Sequence, residues 1–159
     1  MKPTPEGWPR ISTGIFYADA PAAIDFLVQA FGFVVRLRID GENNTIEHSE
    51  LTFGNGAEAL IMVGSEGPRN PTKKSPKHLG GMNTQAMCLF VDDVDAHCAH
   101  ARTAGATIVK EPTTTDYGDG YWVDRTYECT DPEGHAWWFM QRLSTAPTAS
   151  SATSSSKKA

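Results

Sequence analysis

The stretch "IFYADAPAAIDFLVQAFGF", Ile15–Phe33, decides the fold because the chain writes it twice. Its echo is "LFVDDVDAHCAHARTAGAT", Leu89–Thr107. Each copy opens on a short apolar strand. Each then places an aspartate, Asp19 or Asp93, where a helix needs an acceptor for its first free amides. Ala20, Ala23, Ile24 and Leu27 in the first copy fall at i, i+3, i+4 and i+7, as do Val94, His97, Cys98 and Ala101 in the second. That spacing puts each set on one helix face. Gly32 and Gly105 stand where the helices should stop.

The repeat resumes further on. "SELTFGNGAEALIMV", Ser49–Val63, aligns with "YECTDPEGHAWWFMQ", Tyr127–Gln141. Asn55-Gly56 predicts a tight hairpin turn. Asp131-Pro132-Glu133-Gly134 predicts a turn by different chemistry, with an acceptor first, a preset φ second and glycine fourth. Each half therefore reads as strand, helix and three strands. Neither half covers its own sheet edges, so the two are expected to pair around a concave face. The fold class is α+β. We divide the chain into an N-terminal arm (1–9), a first βαβββ module (10–66), a Gly/Pro/Lys-rich linker (67–82), a second module (83–143) and a tail (144–159). The Ser-rich tail lacks large apolar residues and is expected to be disordered; the linker lysines are expected to form a solvated loop.

A net charge of −5 argues against a nucleic-acid or anionic-membrane surface. No apolar run reaches the ~20 residues of a membrane span. The first ten residues show no apolar signal segment, and three widely spaced cysteines suggest no disulfide frame. A cytoplasmic protein is the expectation. There is no phosphate loop and no GxSxG turn.

A doubled βαβββ unit with "FGF" after the first helix and "DPEGHAWWF" in the last hairpin resembles the vicinal oxygen chelate superfamily, which contains glyoxalases, bleomycin-resistance proteins and extradiol dioxygenases. The likeness spans about residues 10–143. It implies curled mixed sheets around a cleft, commonly in a homodimer. Metal-dependent members take ligands from the first and last strand of each module. Carried over by position, those places hold Ser12, Ala86, Leu60 and Trp138. Three have no donor for a metal, so no metal and no other cofactor is expected. His97 with His100 is read as packing, and His135 as satisfying loop carbonyls. The remaining carboxylate–imidazole cluster is His48, Glu50 and Glu128, the weak catalytic candidates.

With an indole in place of an acid, the cleft is read as apolar. Its expected walls are Ser12, Phe16, Leu60, Met62, Cys88, Phe90, Trp138 and Met140, with Trp137 and Phe139 facing the helices. Trp138 filling a collapsed core is the competing reading. The loop 116–128 adds Tyr121 and Trp122 as a flap, or alternatively a dimer seam, and Arg125 as a fork for an anion. The leading expectation is metal-independent binding of a small hydrophobic or aromatic molecule, such as an antibiotic. The alternatives are a glyoxalase-like lyase, isomerase or dioxygenase, and an interaction module with no small ligand.

Overall fold

A computed structural model of the chain describes residues 1–55 and 58–145. The tail expectation lies almost wholly outside these residues, and so does half of the Asn55-Gly56 turn. The described chain is α+β and carries the doubled βαβββ unit. The first module is β1 (Thr13–Tyr17), α1 (Ala20–Phe31), β2 (Val34–Asp40), β3 (Ile46–Phe53) and β4 (Ala59–Ser65). The second is β5 (Ala86–Phe90), α2 (Val94–Thr103), β6 (Thr107–Asp116), β7 (Val123–Thr130) and β8 (Ala136–Ser144). The sheets are ordered β1-β4-β3-β2 and β5-β8-β7-β6. In each, the first strand runs parallel to the last and the other neighbours are antiparallel. No described helix is long and apolar enough to cross a membrane.

The local signals act as their chemistry dictates. Asp19 accepts from the Ala22 amide and Asp93 from the Ala96 amide, each capping its helix. Gly32 ends α1 in the left-handed conformation that a Cβ would oppose. The apolar stripe of α1 is buried in full, and Val94, Cys98 and Ala101 are buried on α2. His97, the polar member of that stripe, is half-buried. Its Nε2 donates to the Phe31 carbonyl and its Nδ1 accepts from the Tyr127 hydroxyl at 2.7 Å. Burial holds this imidazole below its ordinary pKa, which matches a neutral ring with both nitrogens occupied.

One core serves both modules. Phe31, at the end of α1, packs on Trp137 and Phe139 of β8 with ring centroids 5.0 Å away in each case. Alternation along β8 thus sends Trp137 and Phe139 into the core and leaves Trp138 and Met140 on the opposite, concave face.

The turn after β7 bolts the modules together. Buried Asp131 accepts from the Tyr17 hydroxyl at 2.7 Å and from the Trp137 indole at 3.1 Å. Its other oxygen accepts from the Glu133 and His135 amides. Glu133 reaches across to the amides of Ala18 and Asp19, at 2.7 and 2.8 Å. The His135 ring donates to the Phe16 carbonyl. The linker lysines are solvated as expected, Lys73, Lys74 and Lys77 all being exposed, while Ser75 and Pro76 back this turn. Glu66 accepts from the Ser75 amide and bonds the His78 ring, which buries Ser75 and Pro76 beside Gly134.

Removing Asp131 strands several buried donors at once, so Asp131→Ala should cost roughly 2–4 kcal/mol in urea unfolding, while Glu128→Ala should stay within about 0.5 kcal/mol. Glu133 adds a pH dependence. Burial opposes its ionisation, but the Ser75 hydroxyl and the Ala18 and Asp19 amides outweigh that and hold the carboxyl below its usual range. Its stabilising share is complete above the ordinary glutamate value of about 4.3 and is lost as pH falls through the lower folded value. Unfolding midpoints measured from pH 6 to 3 should show a shallower acid decline for Glu133→Gln than for the wild type.

Candidate functional site

The internal repeat makes the Asp131 turn half of a pair. Its counterpart is the β3–β4 hairpin, where Phe53 aligns with Asp131 and Asn55 with Glu133. The segment that hairpin should grip is Phe90–Asp93, the counterpart of Phe16–Asp19. Among the described residues the grip is missing here. Val91 stands in place of Tyr17 and has no hydroxyl to give. Asn55 bonds within its own hairpin, its amide donating to Glu58. A crevice of about 940 Å³ opens between the two segments instead. Its walls include Phe31, Phe53, Cys88, Phe90, Val91 and Arg142.

Cys88 and Phe90 belong to β5, whose register sets Cys88 beside Trp138 and Phe90 beside Met140 on β8. The Cys88 thiol lies 3.6 Å from the Met140 sulfur. Burial and the nearby Asp124 charge push the Cys88 pKa up, so it stays a thiol at neutral pH. Arg142 was not among the residues expected from sequence. It forms an ion pair with buried Asp124, and its guanidinium lies over the rings of Phe90 and Trp122, at 5.4 and 4.8 Å. The flap residue Trp122 is thereby tied to the crevice wall, while Tyr121 is exposed beside it. The signal existed in the sequence: Arg142 continues the alternation Trp138, Met140, Arg142 on one strand face.

The other expected wall residues lie elsewhere. Phe16 and Met62 line a second cavity, of about 720 Å³, which the linker and Thr84, Gln85 and His135 of the second module also line. Leu60 is buried, and Ser12, half-buried, immediately precedes β1. Of the walls expected around a single cleft, Cys88 and Phe90 line one cavity and Phe16 and Met62 the other, while Ser12, Leu60, Trp138 and Met140 line neither. The Arg125 fork is a correction. Its guanidinium grips Asp95 on α2 through two bonds of 2.7 Å, on the helix side of the sheet, so it is not offered to the concave face. Arg125 lies one residue from Asp124, and strand alternation sends the two to opposite faces.

The expected catalytic cluster is also not assembled. His48 contacts Glu50 at 3.1 Å, but Glu128 lies on the other sheet with Lys110. Glu50 is held below its usual pKa by its bond to His48, with burial opposing and Arg36 assisting. The N-terminal arm packs on Arg36: the Gly7 carbonyl accepts from its guanidinium, which sits 4.7 Å over the Trp8 ring. For the metal of the glyoxalase-type enzymes the donor set does not fit. Ser12 supplies the one oxygen of the four positions, and among the described residues no group of three His, Cys, Asp or Glu could hold an ion. His97 and His100 are spent on Tyr127, Phe31 and Gln29.

Residues 11–139 match the family model described as Glyoxalase/Bleomycin resistance protein/Dioxygenase superfamily. The chain belongs to that superfamily. An uncharacterised Mycobacterium tuberculosis H37Rv protein shares 37% identity over 131 residues, covering 81% of this chain and 72% of its own. The crystal structure of TioX from Micromonospora sp. ML1 is similar, with 31% identity, a TM-score of 0.63, and 85% and 99% of the two chains covered. TnmS3 of Streptomyces sp. CB03234, described as an antibiotic binding protein, shares the fold at 22% identity and a TM-score of 0.59, over 82% of this chain and 93% of that one.

Within this superfamily member, one polar atom is anomalous. The Trp138 indole nitrogen is the buried side-chain donor without a partner among the described residues. Trp138→Phe removes that unsatisfied N–H along with some ring area, so the two effects offset. Its unfolding free energy should stay within about 1 kcal/mol of wild type, against the 3–5 kcal/mol usual for truncating a packed tryptophan.

Proposed function

We propose that this protein is a metal-independent binder of a small hydrophobic or aromatic molecule, of the kind sequestered by antibiotic-binding proteins. The observation that carries the reading is the missing second grip. Where the Asp131 turn closes one junction between modules, the other stays open as a crevice of about 940 Å³. That volume suits a drug-sized ligand. Phe31, Phe53 and Phe90 supply flat contact and the Cys88 sulfur a polarizable one. Arg142 lines the crevice with its charge balanced by Asp124, which favours a neutral planar ligand over an ionic one. The description of TnmS3 as an antibiotic binding protein supports the same direction.

A homodimer in the cytoplasm fits this reading. Val34 on β2 and Val109 on β6 are each 64% exposed, on strands that end their sheets. Such apolar edges call for a cover, and a second copy supplies one. The protein would need no cofactor.

An enzymatic reading, as a glyoxalase-like lyase, isomerase or dioxygenase, rests on the His48–Glu50 contact. It is the weaker one, because a carboxylate stabilised by Arg36 and His48 is a poor proton acceptor. Elemental analysis of the purified protein, with turnover assays on His48→Ala, separates the readings. About one metal per chain together with activity lost on that substitution would reverse the preference.

Ligand binding is tested by titrating neutral planar compounds, antibiotics among them, against tryptophan fluorescence and Cys88 alkylation. A bound ligand should slow iodoacetamide labelling of Cys88, and Cys88→Trp, which fills the crevice, should weaken binding at least tenfold. Labelling rates indifferent to every compound would contradict the proposal.

A further inference from the structure

We propose that the second cavity, where the first module meets the linker and the Thr84–Gln85 and His135 segments, is a separate site for a small aromatic molecule carrying an anionic group, with Lys73 as its charge partner. This goes beyond the neutral-ligand reading of the larger crevice and rests on a different set of residues. The cavity holds about 720 Å³ and lies on the concave face of β1 and β4. Its floor is bare backbone. A Cβ at Gly64 would come within 3.0 Å of the Phe16 ring, so the ring lies close against β4 because that position is glycine, while one at Gly14 would only meet it at contact distance. The Lys73 ammonium stands 4.2 Å from the centroid of that ring.

The internal repeat supplies the contrast. Phe16 and Phe90 are counterparts, and each has a cation over its ring. On Phe90 the cation is Arg142, already paired with Asp124. On Phe16 it is Lys73, which has no carboxylate partner among the described residues. The acids around this cavity are all engaged. Glu47 is held by Arg69, Glu66 by Lys74 and His78, and Glu50 by Arg36 and His48. One positive charge is therefore left over at an aromatic wall. A ligand with a carboxylate or similar anion gains a charge-assisted bond there, and its ring finds Phe16 and Met62. The same cavity offers a neutral isostere no such bond.

The probe pair is naphthalene-2-carboxylate and naphthalene-2-carboxamide, followed by ¹H–¹⁵N shifts in the full chain. The carboxylate should move the Gly14 and Gly64 amides. Its dissociation constant there should rise about tenfold in Lys73→Met, more in Lys73→Glu, and stay near wild type in Lys73→Arg, with a tenfold loss corresponding to one charge-assisted bond. Added salt should weaken it, and the carboxamide should bind there at least tenfold more weakly. Lys73 is on the exposed linker, so these variants should keep wild-type melting. Carboxylate shifts absent from Gly14 and Gly64, or insensitive to Lys73→Met and Lys73→Glu, would overturn the proposal. Carboxamide shifts at Cys88 and Phe90 report only on the larger crevice, so the two ideas fail separately.

Discussion

The structure depends on one buried carboxylate. Asp131 orders its own turn through two backbone amides and joins the modules through the Tyr17 hydroxyl, while its neighbours Glu133 and His135 bind the backbone of residues 16–19. Because these bonds are long-range and largely buried, they set how one sheet sits on the other. The acidic and imidazole groups of this turn are thus used as fasteners. They are not free for chemistry, although their sequence has the look of a reactive loop.

From that fastening follows the asymmetry that matters for function. Two equivalent βαβββ units would make two equivalent junctions. Substituting Phe53, Asn55 and Val91 for Asp131, Glu133 and Tyr17 removes the bonds at one junction and leaves a gap walled by Phe53, Phe90 and Val91 together with the polar Glu58, Asp92 and Arg142. The concave faces then differ in charge as well. Arg142 is neutralised and lies between Phe90 and Trp122, whereas the cation over Phe16 is not neutralised. A single duplicated fold thereby presents two recesses of different chemical character without a metal-binding donor set in either.

The fold was readable from sequence because its causes are local. Asp19 and Asp93 cap helices through their own next turn, and the stripes at Ala20–Leu27 and Val94–Ala101 need only a helix and a core to be buried. The facing of Trp137 and Phe139 inward and of Trp138 and Met140 outward needed only strand alternation. The site was less readable because its causes are distant. Nothing in the spacing of "TDPEGH" shows that Asp131 finds Tyr17, or that Arg125 finds Asp95 on a helix thirty residues away. Arg142 is legible as the next position of the Trp138, Met140 alternation, but its partners Asp124 and Trp122 lie on distant segments. The single cleft expected from Phe16, Met62, Cys88 and Phe90 is divided because the shared core, with Phe31 on Trp137 and Phe139, packs the helices between the sheets.

The account is tested most directly by a double-mutant cycle across the module junction, Tyr17→Phe against Asp131→Ala, with unfolding free energies measured in urea at pH 7. A fastener predicts that the two substitutions are coupled by about 1–2 kcal/mol, since either one alone breaks the same buried bond. Strict additivity would show that the junction is held by other contacts, and the argument from one closed junction to one open crevice would fail with it.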